Sequence, residues 1–175
     1  MNSLKSLDEL MYIDKQHLFL EKIGGKKVEL TTHHEKIASI ELHQGVPQTI
    51  RGQFNIARNM ALYSYFFYSL GSELQLKAYS VIEYALRIKT NRQDLMLRQL
   101  LTLANQKNWL QDSMFRHIKE PDEDNSYCHS LEKILPQQRN ESAHGIPPLV
   151  WDYIGHIERC ADLVNQLFSR PPKSK

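Results

Sequence analysis

Six apolar residues, Val150, Ile154, Ile157, Ala161, Val164 and Phe168, recur at intervals alternating between four and three. That spacing places them on one stripe of an α-helix, whereas a strand would scatter them over both faces. A stripe of about five turns must be covered by other helices. Only seven glycines punctuate the 175 residues, and no strand–turn–strand alternation recurs. The chain therefore reads as all-α, a bundle of five to seven helices around one core.

The remaining helices are legible to different degrees. Leu74, Ala78, Val81, Ala85 and Ile88 predict a helix from about Ser72 to Thr90. Leu97, Leu100, Leu101 and Ala104 predict another, with Asp94 as its N-cap and an end near Asn108. Leu131, Ile134 and Leu135 anchor a further helix after the acidic loop Lys119–Ser126, which carries a proline breaker. Between about Gln53 and Leu70 the sequence reads as a helix whose second half, Met60–Leu70, has no wide polar face. Such a helix belongs at the centre of the bundle or is shared with a second subunit. Leu4–Lys22 predicts an amphipathic helix broken by Gly24-Gly25, and Thr32-His33-His34-Glu35 has the form of a capping box opening a helix to about Leu42. A small hairpin through Val28–Thr31 is the alternative there. These readings divide the chain into an N-terminal helical extension (1–50), a bundle (51–170) and a tail (171–175).

The formal net charge of +2 demands no nucleic acid or anionic membrane, so a nucleic-acid partner would have to be held by a local patch. Met60–Leu70 is too short to span a bilayer. Cys128 and Cys160 have no CxxC spacing and no secretory signal precedes them, so both thiols are expected to be free in a cytoplasmic protein.

Chemistry concentrates in Arg139-Asn140-Glu141-Ser142-Ala143-His144-Gly145. Asn140 and His144 share a helix face, and Arg139 has the reach to join them. Gly145 is a natural left-handed C-cap, and Pro147 and Pro148 stop the helix from resuming. His144 is thus expected at a helix C-terminus, where the macrodipole attracts cations. An imidazole beside a permanent guanidinium is what phosphodiester cleavage needs. Local sequence alone favours a plainer reading, because Arg and His are common in a last helical turn.

Other candidates are weaker. His34-Glu35 opens like a zincin motif, but Ala38 stands where the second ligand belongs, so His33, His34 and His43 read as surface residues. No Gly-rich phosphate loop or nucleophile elbow is present, and Cys128-His129 adjacency does not make a catalytic pair. Arg58, Arg87, Arg92 and Arg98 read as solvated, and Glu83–Arg87 as a solvated i,i+4 pair.

The Arg139, Asn140 and His144 run, at the end of one helix and followed by a last amphipathic helix, resembles the HEPN superfamily (higher eukaryotes and prokaryotes nucleotide-binding domains), whose signature is Arg-Asn-xxx-His. Leu135–Gly145, Cys160–Phe168 and the Ile-Glu-Tyr-Ala-Leu-Arg stretch at 82–87 are similar in character, and the resemblance covers about residues 53–170. It implies a metal-independent endoribonuclease, without cofactor, acting as a homodimer with two Arg–His motifs across a composite cleft. It implies that Arg139 binds the scissile phosphate, Asn140 orients it and His144 handles a proton, with Glu83 orienting Arg139. It also implies RNA as partner, a toxin or defence role, and an antitoxin or regulatory protein. The alternative within the same family is a non-catalytic RNA- or nucleotide-binding or dimerisation module.

Overall fold

The computed structural model describes residues 4–144 and 152–169. Its longest helix, Leu70–Thr90, sits at the centre because two adjacent stripes of it are buried. Leu74, Ala78, Val81 and Ala85 of the expected stripe are buried, while its last member, Ile88, is exposed; Gln75, Tyr79, Ile82 and Leu86 form a second stripe beside it. Among the described residues there are seven α-helices and no strand: α1 (Lys15–Lys22), α2 (Leu30–Ala38), α3 (Gln48–Tyr63), α4 (Leu70–Thr90), α5 (Leu97–Gln106), α6 (Ser126–Ala143) and α7 (Tyr153–Phe168). Short 3-10 turns lie at Leu7–Glu9 and Asp112–Met114. Helix α4 packs against α3, α5, α6 and α7, most extensively against α7. The expected all-α bundle is present, and no helix among the described residues is long and apolar enough to cross a membrane.

Helix α7 carries the stripe that fixed the fold class. Ile157, Ala161 and Val164 are buried, and Ile154 and Phe168 are partly buried against the same core. The helix begins at Tyr153, with Asp152 Oδ1 accepting from Gly155 N at 3.0 Å, and Val150 lies outside the described residues. A Cβ on residue 155 would fall 1.9 Å from the Asp152 carboxylate, so glycine keeps the cap in place.

The helix expected over 53–70 is instead two elements, α3 and the start of α4, joined by a turn. Two buried histidines explain the break. His33 Nε2 donates to Ala61 O at 2.9 Å, Ser64 Oγ to the same oxygen at 2.6 Å, and His17 Nε2 to Ser64 O at 3.1 Å. A continuing helix would offer those carbonyls to residues 65 and 68. Tyr68 N turns to Asp14 Oδ2 at 2.9 Å. Met60–Leu70 is therefore not a helix apolar all round, and Tyr63 and Phe67 within it are exposed.

The first fifty residues depart from expectation in similar ways. Asp14 caps α1 by accepting from Gln16 N at 2.8 Å, so the helix expected from Leu4 starts only at Lys15. Helix α2 starts at Leu30, which places Thr32 inside its first turn and removes the capping box. It stops at Ala38, four residues short of expectation, because Arg58 Nη2 and Nε donate to Ala38 O (2.8 Å) and Ile37 O (3.4 Å). Arg58 is thus a buried-end cap, not a solvated charge. Ile37, Ile40, Leu42 and Val46 pack into the same core as Ile50 and Phe54 of α3. At α5 the N-cap is Met96, whose N–H donates to Gln99 Oε1 at 2.9 Å, while Asp94 is held by Arg92 at 2.7 and 2.8 Å.

Candidate functional site

Helix α6 delivers the polar run, and its start is fixed by a residue well upstream. The Asp112 carboxylate, 2% exposed, accepts from Tyr127 N (3.0 Å) and Cys128 N (2.9 Å), the N–H groups a helix start leaves unpaired. Asn125, at φ 52°, turns the chain into the helix and takes Asp112 N on its Oδ1 at 2.9 Å. Glu132, accepting from Thr102 Oγ1 and Asn105 Nδ2, ties α6 to α5. Pro136 adds no N–H to the ladder, so the last turn is joined to the rest by one bond fewer.

Arg139 and Asn140 lie in that last turn, and His144 is its C-cap, donating its backbone N–H to Asn140 O at 3.0 Å. Asn140 and His144 are exposed. The Arg139 guanidinium approaches Asn140 Oδ1 at 3.5 Å through Nη1 and Glu83 Oε2 at 3.7 Å through Nη2. Glu83 Oε1 in turn accepts from Arg87 Nη2 at 2.8 Å. One carboxylate therefore stands between two guanidinium groups, with its side chain 19% exposed. This pair is partly buried between α4 and α6, where the sequence suggested a solvated ion pair. Arg87 also donates to Gln93 O, which leaves Arg139 as the more outward cation of the two, its side chain 42% exposed. Among the described residues the His144 ring has no hydrogen-bond partner. Gly145, Pro147 and Pro148 lie outside the described residues.

One turn before Glu83 on α4, Tyr79 adds a polar tie the sequence reading missed. Its hydroxyl accepts from Gln75 Nε2 at 2.7 Å and donates to Gln138 Oε1 at 2.8 Å, beside Arg139. The signal was the row Tyr79, Glu83, Arg87, three residues at four-residue spacing on one helix face.

The other candidates have structural partners. His33 is buried on Ala61, His43 Nε2 pairs with Asn165 O at 3.0 Å, and His34 is exposed. His33 is thus not the surface residue expected. Cys128 and Cys160 are free and buried, and burial pushes both thiols well above the usual range, which disfavours the thiolate. His129 points to Glu132 at 3.4 Å.

The arrangement provides an outward guanidinium and an exposed imidazole at one helix end, with an amide between them and a carboxylate behind. No protein-family model, no curated protein and no solved structure matches this chain.

Proposed function

We propose that this chain is a HEPN-like, metal-independent endoribonuclease acting as a homodimer, with Arg139, Asn140 and His144 as its reacting residues. The observation that carries the proposal is the last turn of α6, where Arg139 stands against Glu83 and His144 remains exposed at the C-cap. The helical surroundings add support, since α6 is followed by α7 and α7 packs along α4. The sequence resemblance draws on the same helices.

In this reaction the 2′-hydroxyl of RNA attacks the adjacent phosphorus and the bond to the 5′-oxygen breaks. The products are a 2′,3′-cyclic phosphate and a 5′-hydroxyl. Arg139 offsets the charge gathering on the phosphoryl oxygens, and Asn140 orients the phosphate. One proton leaves the 2′-hydroxyl and one reaches the 5′-oxygen, so an acid and a base are both required. A single His144 per protomer explains why two copies would meet across one cleft. Glu83 acts as a positioning residue for Arg139. The proposed setting is a toxin or defence protein held in check by a partner protein.

The test is cleavage of a structured and an unstructured RNA in EDTA by wild type, Arg139→Ala and His144→Ala. Loss of cleavage in both variants is expected. Equal residual cleavage by all three proteins would overturn the proposal, and salt-sensitive RNA binding without product would favour a non-catalytic binding module.

A further inference from the structure

Between α4, α6 and α7, closed by the Phe115–His117 segment, lies a pocket of about 270 Å³. Its floor is apolar, formed by Ile82, Phe115, Leu131, Leu135 and Leu163, all buried. Its polar groups are Tyr79 of α4, Tyr127 and Gln138 of α6, His156 and Arg159 of α7, and His117 of the closing segment. Pockets that hold small molecules combine these two features, an apolar lining and a few converging polar groups.

The polar groups are ordered by one another. Gln75 Nε2 donates to the Tyr79 hydroxyl, which donates to Gln138 Oε1, so the Gln138 amide nitrogen is without a partner among the described residues. Arg159 Nη2 donates to His156 Nδ1 at 3.1 Å, which makes Nδ1 the acceptor and places the imidazole proton on Nε2. A neutral ring therefore positions the guanidinium without cancelling its charge. The nearest carboxylate to Arg159, that of Asp152, is 3.8 Å away with its side chain 65% exposed, a pairing too loose and wet to neutralise it. Arg116, between the lining residues Phe115 and His117 in sequence, shows the contrast. Its guanidinium meets the Asp162 carboxylate at 2.7 and 2.9 Å, with Asp162 buried. Of the two arginines, only Arg159 retains an unspent charge beside the cavity.

We propose that this pocket binds a small aromatic carboxylate, its ring on the Leu135–Leu163 floor and its carboxylate on Arg159. The ring would lie among the edges of Tyr79 and Tyr127, and the Gln138 amide would donate to its polar end. Size suggests the class: a cavity of about 150 Å³ takes a benzene ring, so this one has room for one or two rings. Charge narrows it further. A phosphate dianion would find a single unspent arginine, whereas a carboxylate monoanion matches one guanidinium. The pocket adjoins the α6 turn that carries Arg139, since Gln138 lines it, but none of Arg139, Asn140 and His144 does, and its binding does not depend on RNA cleavage.

Calorimetric titration of the full chain with indole-3-carboxylate, and with its uncharged analogue indole-3-carboxamide, tests the proposal. Saturable binding of the acid is expected, with the carboxamide about tenfold weaker. Arg159→Gln should weaken the acid by a similar factor and leave the carboxamide unchanged. Ile134→Trp, at a half-exposed position on the rim, should block both ligands without disturbing the core. Absence of saturation up to about 10 mM acid, equal affinity for acid and amide, or an Arg159→Gln protein that binds the acid as wild type does would each overturn the proposal.

Discussion

Glu83 of α4 lies 3.7 Å from Arg139 of α6, and its other oxygen takes Arg87 of its own helix at 2.8 Å, so one carboxylate stands between two guanidinium groups, one of them across a helix–helix contact. The Arg139 pair is long and its arginine half-exposed, so its worth to folding is small, less than about 1 kcal/mol. Its worth to RNA cleavage would lie in aiming Arg139. Glu83→Gln is expected to lower kcat about tenfold with little change in KM, and to lower Tm only through its pair with Arg87. An unchanged kcat would remove Glu83 from the positioning role.

The α6 N-terminus depends on Asp112 more than on any residue of its own first turn. Asp112→Ala orphans the N–H groups of Tyr127 and Cys128 in a buried place and is expected to cost about 2–4 kcal/mol. Asp112→Asn keeps an acceptor and should cost less. Urea unfolding with an unchanged slope reads the difference. Equal stability of wild type and Asp112→Ala would contradict the capping role.

Acidification should destabilise the fold. Burial first, and the neighbouring Arg159 second, hold His156 down from the ordinary 6.5 to about 4, with Asp152 opposing. Burial likewise lowers His33. The unfolded chain thus binds protons that the folded chain refuses, and the stability present above pH 6.5 is lost as pH falls toward 4. His156 alone contributes on the order of 2 kcal/mol to that loss. Thermal melts of His156→Gln from pH 7 to 4 should show a shallower decline than wild type. Parallel declines would contradict it.

Arg58 is predicted to hold the segment that joins α2 to α3. Removing its bonds to the Ile37 and Ala38 carbonyls should loosen α2 before the rest. Arg58→Ala is expected to cost about 1–2 kcal/mol locally, read as faster amide exchange in residues 30–46 with little change in α4 and α7. Uniformly faster exchange would show that Arg58 acts on the whole bundle.

Much of this fold was legible because apolar spacing reports burial. The α7 stripe gave the fold class, and the first α4 stripe gave its central helix. The second α4 stripe was obscured because Gln75 and Tyr79 belong to it, polar residues that are buried by pairing with each other. Boundaries were lost wherever a distant side chain set them. His17 and His33 end α3, Arg58 ends α2, and Asp112 starts α6, each by a hydrogen bond between residues far apart in sequence. No local propensity carries that information. At the candidate site, the residue types and their four-residue spacing were readable, while the approach of Glu83 from α4 required the packed helices.

The proposed transesterification of RNA at Arg139 and His144 leaves its signature in the ends of the fragments. Mass spectrometry of fragments made in EDTA reads those ends. Wild type is expected to give 2′,3′-cyclic phosphate and 5′-hydroxyl ends, and His144→Ala none. Fragments with 3′-hydroxyl and 5′-phosphate ends, or the same fragments in equal yield from His144→Ala, would contradict it.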